Sequence, residues 1–97
     1  MADPITRVVR AVPLFQGAFN LHLPKGAEIL GAEMLLDGAA LLVLVDPAAS
    51  METRAFVVVS TEDRFDAAGL TYVGSYVNAT GFAGHVFERI REESDRG

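Results

Sequence analysis

The chain has 97 residues, of which 51% are hydrophobic and 22% charged, and its net charge is −5. This composition indicates one globular domain over residues 1–97, because disordered chains contain fewer apolar residues. The lack of cysteine excludes disulfides, thiolate metal sites and cysteine catalysis, and the acidic balance argues against nonspecific binding to nucleic acid or anionic lipid.

The sequence shows no signal for export or membrane insertion. The N-terminal residues include neither the basic nor the apolar region of a signal peptide. The longest apolar run, Ala39–Val45, has seven residues, whereas a membrane-spanning helix needs about 20. We therefore expect a cytoplasmic protein that does not contact a membrane.

Short apolar segments alternate with turn residues along the chain, which is typical of an all-β antiparallel sandwich or barrel. We expect six to seven strands, in the segments Thr6–Val12, Ala18–Leu23, Ile29–Leu36, Ala39–Val45, Thr53–Val59, Leu70–Val77 and Phe82–Phe87. The core is expected over about residues 5–88, followed by a charged tail from 89 to 97. A short C-terminal helix over Phe87–Ser94 is an open alternative.

The clearest hairpin signal is Asp37-Gly38 between Ile29–Leu36 and Ala39–Val45. This residue pair favours a two-residue type I′ turn, because both of its central positions need φ above zero. Such a turn predicts that Leu36 lies opposite Ala39. A second hairpin is predicted around a four-residue loop, 78–81, and the glycines Gly74 and Gly84 inside its strands suggest a bulge or a close backbone approach.

Both faces of the first hairpin are mostly apolar, whereas a hairpin on the outside of a monomer should have one polar face. One alternative is a closed barrel or sandwich that covers Leu35, Leu42 and Leu44 together with Val57 and Val59. The other is a homo-oligomer, a dimer or larger, with Leu35, Leu42 and Leu44 in its interface.

The segment between the fifth and sixth strands contains Glu62, Asp63, Arg64, Phe65 and Asp66. Its three carboxylates suggest contact with a basic partner or with calcium or magnesium, but the spacing and the glycine of a calcium loop are missing. We expect a solvated loop that is a candidate site for binding a host or phage protein.

Catalytic patterns are absent from the sequence. His22 and His85 lie in predicted strands, and with Glu28 or Glu33 they would form a zinc site only if their strands were adjacent. No metal-ligand spacing is present, and Ser75 has neither a nucleophile elbow nor a matched base. We therefore predict a non-enzymatic protein with no catalytic residues, no metal and no cofactor.

Arg7, Arg10 and Arg54 raise the alternative of a single-stranded nucleic-acid surface together with Tyr72 or Tyr76. Because the chain is acidic, nucleic acid is not the expected partner. Arginines at such positions more commonly protect edge strands and pair with carboxylates.

Four strings in order resemble a family of small, uncharacterised β-rich domains from phages and prophages: Leu23–Leu30 (LPKGAEIL), Val45–Pro47 (VDP), Leu70–Ser75 (LTYVGS) and His85–Glu88 (HVFE). The resemblance spans about residues 7–88. It implies a phage or mobile-element origin, a compact β-rich fold and no assigned activity or functional residue.

The chain departs from that family at two places. Members tend to have a Gly-His-Pro turn in the middle loop, where this chain has Thr61–Asp66. Members also tend to have polar residues on the outer face of the central hairpin, where this chain has Leu35, Leu42 and Leu44. The second departure favours an oligomer or partner interface.

From this resemblance and from the small acidic chain we expect a phage or prophage accessory binding protein. One hypothesis is an inhibitor of a host defence system that acts by occlusion, covering a working surface of a host protein. The alternatives are a structural or assembly accessory of the virion and an oligomer that binds a nucleotide signal.

Overall fold

The computed structural model describes residues 6–90, and all of their regular structure is β-strand. The seven strands are β1 (Val8–Pro13), β2 (Gly17–Pro24), β3 (Glu28–Leu35), β4 (Gly38–Val45), β5 (Met51–Ser60), β6 (Leu70–Val77) and β7 (Ala83–Arg89). The predicted all-β fold is confirmed. The residues described contain no helix that is long and apolar enough to cross a membrane.

The strands form two antiparallel sheets that pack as a sandwich rather than a closed barrel. Sheet A has the order β1-β4-β3, and sheet B has the order β2-β5-β7-β6. Alternate residues of the central strand β4, Leu41, Val43 and Val45, are fully buried against sheet B. Sheet B contributes the largest core side chains, including Phe56 and Tyr76.

Most residues of the first hairpin lie on the predicted faces, but its turn is different. Ile29, predicted on the face of Leu42, pairs with Val43 on the core side, because the register shifts at a bulge between Ile29 and Gly31. Leu35 pairs with Gly38 and Met34 with Ala39, so the turn residues are Leu36 and Asp37. The predicted pairing of Leu36 with Ala39 is wrong, and the turn is not type I′, because neither Leu36 nor Asp37 has a positive φ. Gly38, at φ 134°, takes the left-handed conformation instead and begins β4.

The loop of the second hairpin is one residue longer than predicted. Val77 pairs with Ala83, because Asn78 organises a five-residue loop. Its side-chain oxygen accepts hydrogen bonds from the backbone N–H groups of Thr80 and Phe82, both at 3.0 Å. This longer loop moves the partners of residues 74–77 by one position relative to the prediction, and the bulge between Tyr72 and Gly74 restores the predicted register beyond it.

The alternative of a C-terminal helix beginning at Phe87 is wrong, because Phe87, Glu88 and Arg89 belong to β7. These residues pair with β6 on one side, and Phe87 and Glu88 also pair with β5 on the other. Hydrogen bonds on both sides of the strand outweigh the weak helical spacing of this segment. The rest of the proposed helix, 91–94, lies outside the described residues.

An ion pair on the core side of sheet B connects the two sheets. Arg54 on β5 donates two hydrogen bonds to the carboxylate of Glu88 on β7, at 2.6 and 2.8 Å, and a third to the carbonyl of Ala27 at 2.7 Å. The side chains of Arg54 and Glu88 are only 13% and 16% exposed. Hydrogen bonding to Glu88 raises the pKa of Arg54 above its usual value. Since Ala27 directly precedes β3, Arg54 ties sheet B to the start of an edge strand of sheet A.

Two glycines of sheet B leave room for close contacts, one with sheet A and one within sheet B. Gly74, just after a bulge in β6, lies so close to β3 that a Cβ there would be 3.1 Å from the backbone nitrogen of Ala32. A Cβ on Gly84 would lie 2.4 Å from the ring of Tyr76. Burial of that ring raises the pKa of the Tyr76 hydroxyl. Gly74 therefore confirms the bulge and close backbone approach predicted from sequence, whereas Gly84 makes room for a side-chain ring instead.

Replacing Arg54 by alanine is expected to reduce the free energy of unfolding by about 3 kcal/mol, because it leaves the Glu88 carboxylate unpaired in a poorly solvated place. Urea unfolding measures this change. The control is Arg89→Ala on an exposed arginine of β7, which should change stability by less than about 0.5 kcal/mol. Equal losses in the two variants would contradict the structural role of the ion pair.

Gly84→Ala is expected to destabilise the protein by about 2 kcal/mol, since the new methyl group overlaps the ring of Tyr76. In a Tyr76→Leu background the same substitution should cost less than about 0.5 kcal/mol, because the clash is gone. Thermal or urea unfolding of the four proteins measures the coupling. Additive losses would show that the ring is not what Gly84 accommodates.

Candidate functional site

The three leucines proposed as an interface lie together on the outer face of sheet A. Leu42 and Leu44 are on β4 and half-buried, whereas Leu35 at the end of β3 is 43% exposed. All three point away from sheet B, because the neighbouring residues Leu41, Val43 and Val45 fill the core. The structure therefore brings together the predicted residues, while their role as an interface stays a prediction.

Further apolar residues extend this surface onto β1. Val9 pairs with Leu44, Ala11 with Leu42 and Pro13 with Ala40, so their side chains share the outer face. Val9 is 60% exposed. We call this surface the open face: the outward-facing residues Val9, Ala11, Pro13, Leu35, Ala40, Leu42 and Leu44, with the turn residue Leu36 at one end.

A shallow depression of about 500 Å³ lies at the turn end of the open face. Its floor is Ala40 and its sides come from β1 and from the β3–β4 turn. The lining residues are Ala11, Pro13, Leu35, Leu36, Asp37, Gly38, Ala39 and Ala40. Leu36, one of these lining residues, is fully exposed at the turn.

Charges at the two edges of the open face differ in sign. Glu28 and Glu33 on β3 share the outer face, since they pair with Leu44 and Ala40. Arg7 directly precedes β1, and it lies two residues before Val9, which places it on the outer side by strand alternation. Among residues 6–90, none of these three side chains forms an ion pair.

The outer face of sheet B, in contrast, is partly covered by the segment 61–69. Phe65 packs on Phe87 with ring centroids 5.2 Å apart, and the Thr61 hydroxyl is 2.7 Å from Nε2 of His85. Beneath this segment Val59 is only 8% exposed. Val57 is half-buried on the same face. The chain itself thus covers the central part of this face, whereas Tyr72 and Val77 on the edge strand β6 stay exposed.

The candidate partner-binding residues, Glu62 to Asp66, are all exposed in this segment. Asp63 accepts a hydrogen bond from the backbone of Ser60 at 3.1 Å, and Asp66 accepts one from Ala68 at 3.0 Å. Glu62 has φ 72°, a left-handed conformation that is unusual for a residue with a side chain. Two of the three carboxylates therefore organise their own loop, and the binding role of the segment stays a prediction.

A chain of hydrogen bonds crosses the same face. The hydroxyl of Tyr72 is 2.7 Å from Ser75 Oγ, which in turn is 2.8 Å from Nδ1 of His85. The expectation that Ser75 has no matched base is therefore wrong. The error has one cause: the five-residue loop pairs Ser75 with His85, whereas a four-residue loop would pair it with Gly84.

This contact does not form a catalytic triad. Both imidazole nitrogens of His85 bond to hydroxyl groups, those of Ser75 and Thr61, and a triad needs a further group that orients the base, normally a carboxylate. Instead, these hydrogen bonds hold the start of the 61–69 segment against sheet B.

The zinc alternative is not realised by the positions of the two histidines. β5 separates β2, which carries His22, from β7, which carries His85. Nδ1 of His22 is 3.0 Å from the hydroxyl of Thr53. Residues 6–90 contain no group of three or more His, Asp or Glu side chains placed to hold a metal ion.

Two antiparallel sheets packed face to face, with the Arg54 side chain of sheet B bonded to the residue before β3, define the chain as a small all-β domain of the sandwich type. The chain belongs to the family described as Domain of unknown function (DUF7352), which matches residues 5–97. No curated protein and no solved structure matches it.

Sequence reasoning missed several members of the open face, above all Leu36, Val9 and Pro13. The signal for Leu36 was its position immediately before Asp37-Gly38, where a turn shifted by one residue places the leucine outside the strand. Val9 and Pro13 were hidden because the alternation in β1 is interrupted by arginines at positions 7 and 10.

Phe65→Ala is expected to speed tryptic cleavage after Arg64 by about 3- to 10-fold, because the aromatic contact that closes the segment onto sheet B is lost. Timed digestion with mass detection measures the rate. Phe15→Ala is the matched control, since Phe15 is also exposed and packs on one phenylalanine, Phe19. An equal acceleration in both variants would mean that Phe65 does not hold the segment.

Proposed function

We propose that the protein is a non-enzymatic accessory binding protein of a phage or prophage, acting in the host cytoplasm as a homodimer whose copies meet at the open face. The observation that supports this proposal is the open face itself. It joins exposed Val9, Leu35 and Leu36 to the half-buried leucines of β4, and contiguous apolar surface of this kind marks interaction sites in small proteins.

The size of the open face suggests a dimer that dissociates on dilution. Three strands spaced about 4.8 Å apart, with about six residues each, span roughly 14 by 20 Å. This is about 280 Å² per copy and about 560 Å² for two copies, below the roughly 1,000 Å² of a stable specific interface, so the contact is a weak one. We therefore expect association in the micromolar range rather than a permanent dimer.

A second copy is a better occupant of this face than the segments 1–5 and 91–97. The segment 91–97 has the sequence Arg-Glu-Glu-Ser-Asp-Arg-Gly, which offers no large apolar side chain. It follows Ile90, whose backbone N–H bonds to Gly69 next to sheet B. The segment 1–5 contributes Met1 and Ile5 as its only large apolar residues, too few to cover a three-stranded face.

In such a dimer each copy keeps the acidic segment 62–66 free, on the opposite sheet from the interface. We propose that this segment contacts a basic surface of a host protein, and that the dimer inhibits a defence system by occlusion. A virion assembly role would instead give higher-order rings or co-purification with particles. A nucleotide-signal binder would carry an ultraviolet-absorbing ligand.

Val9→Glu should weaken dimerisation by at least about 10-fold, because it places a charge in an apolar contact. The matched control is Val77→Glu: Val77 is 61% exposed against 60% for Val9, and it also lies on an edge strand, β6 of sheet B. Sedimentation equilibrium over a range of concentrations measures both.

A native mass that stays monomeric at high micromolar concentration would contradict the homodimer. Equal weakening by both valine substitutions would also contradict it, because the effect would then not be specific to the open face. Circular dichroism of both variants shows whether the fold is retained, which the exposure of both valines leads us to expect.

A further inference from the structure

Resting on the proposed homodimer, we propose its geometry: the two open faces pack with their strands parallel, about a two-fold axis along the strand direction. This arrangement places β1 of one copy over β3 of the other. In each half of the interface Arg7 then meets the partner's Glu28, and Leu36 enters the partner's depression.

The distribution of charge across the open face favours this axis. When two stacked sheets have aligned strands, a two-fold axis between them lies either along the strand direction or perpendicular to it in the sheet plane. The perpendicular axis lays β3 over the partner's β3. With the two faces centred on Leu42, it would put Glu28 opposite the partner's Glu33 twice, because these residues lie in the rows on either side of Leu42.

An axis along the strands removes this repulsion. Residues paired side by side across the three strands, such as Val9, Leu44 and Glu28, form a cross-strand row. Rotation about the strand direction lays each row over the same row of the partner, with the order of the three residues reversed. Val9 then faces the partner's Glu28, and the long side chain of Arg7, two residues before Val9, reaches that carboxylate. The acidic β3 edge of each copy meets the β1 edge, which has no acidic residue on this face.

The shape of the open face at its turn end favours the same axis. Because rows are preserved, the β3–β4 turn of one copy lies at the same level as the turn of its partner, on the opposite side of the axis. Leu36, with no contact that buries it in the monomer, is thereby carried over Pro13 and Ala40, which line the partner's depression. The perpendicular axis would carry Leu36 to the other end of the partner's sheet.

The test is charge exchange between two surface positions. Arg7→Glu and Glu28→Arg should each weaken the homodimer by about 10-fold or more, because like charges then face each other in both halves of the interface. An equimolar mixture of the two variants should form a heterodimer with both ion pairs restored. The double variant Arg7→Glu/Glu28→Arg should return to the affinity of the original chain.

Native mass spectrometry distinguishes the heterodimer by mass, and sedimentation gives the dissociation constants. Arg89→Glu on sheet B is the matched control for charge reversal and should leave dimerisation unchanged. Leu36→Ser provides a second readout that does not depend on charge. It should weaken the dimer by about 10-fold without changing monomer stability, because the side chain is fully exposed in the monomer.

The outcomes separate this geometry from the dimer itself. A dimer that forms normally, but whose mixed charge variants do not recover affinity, overturns the strand-parallel arrangement and leaves the proposed homodimer standing. A dissociation constant that Leu36→Ser leaves unchanged also overturns the strand-parallel arrangement and leaves the proposed homodimer standing. A chain that is monomeric at every concentration overturns the homodimer and this geometry together.

Discussion

The guanidinium of Arg54 is the contact on which the arrangement of the two sheets depends. It binds Glu88 with two hydrogen bonds inside sheet B and reaches the carbonyl of Ala27, where the chain enters β3. Charged groups so poorly exposed are tolerated only when their hydrogen bonds are satisfied. These bonds fix the start of β3 relative to sheet B, and the close contact of Gly74 with Ala32 fixes its middle.

Once β3 is held in this position, one face of sheet A points to solvent, and that face is apolar. Sheet B also has apolar residues on its outer face. There Phe65 and Thr61 hold a segment of the chain over Val59 and His85. Sheet A has no equivalent cover among residues 6–90, and Val9 and Leu35 remain exposed. The asymmetry between the two outer faces is the physical basis for proposing a second copy as the missing layer.

Much of this could be predicted from the sequence, because strand alternation depends only on neighbouring residues. The seven strands follow from it, as does the shared face of Leu35, Leu42 and Leu44. The incorrect predictions concern residues whose pairing depends on the conformation of a turn or on a partner far away in the sequence. The Asn78 side chain lengthens one loop and so pairs Ser75 with His85, and pairing on both sides makes a strand of Phe87 where its spacing also suited a helix. Arg54–Glu88 links residues 34 positions apart, and no local pattern identifies such a pair.

The most direct measurement of the central claim is the methyl NMR spectrum of the protein at increasing concentration. If the open face is a self-association surface, resonances of Val9, Leu36, Leu42 and Leu44 shift or broaden together with one dissociation constant. Those of Val57 and Val77 on sheet B stay constant in that case. Concentration-dependent changes on sheet B, or a spectrum with no concentration dependence, would contradict the assignment of the open face to a second copy.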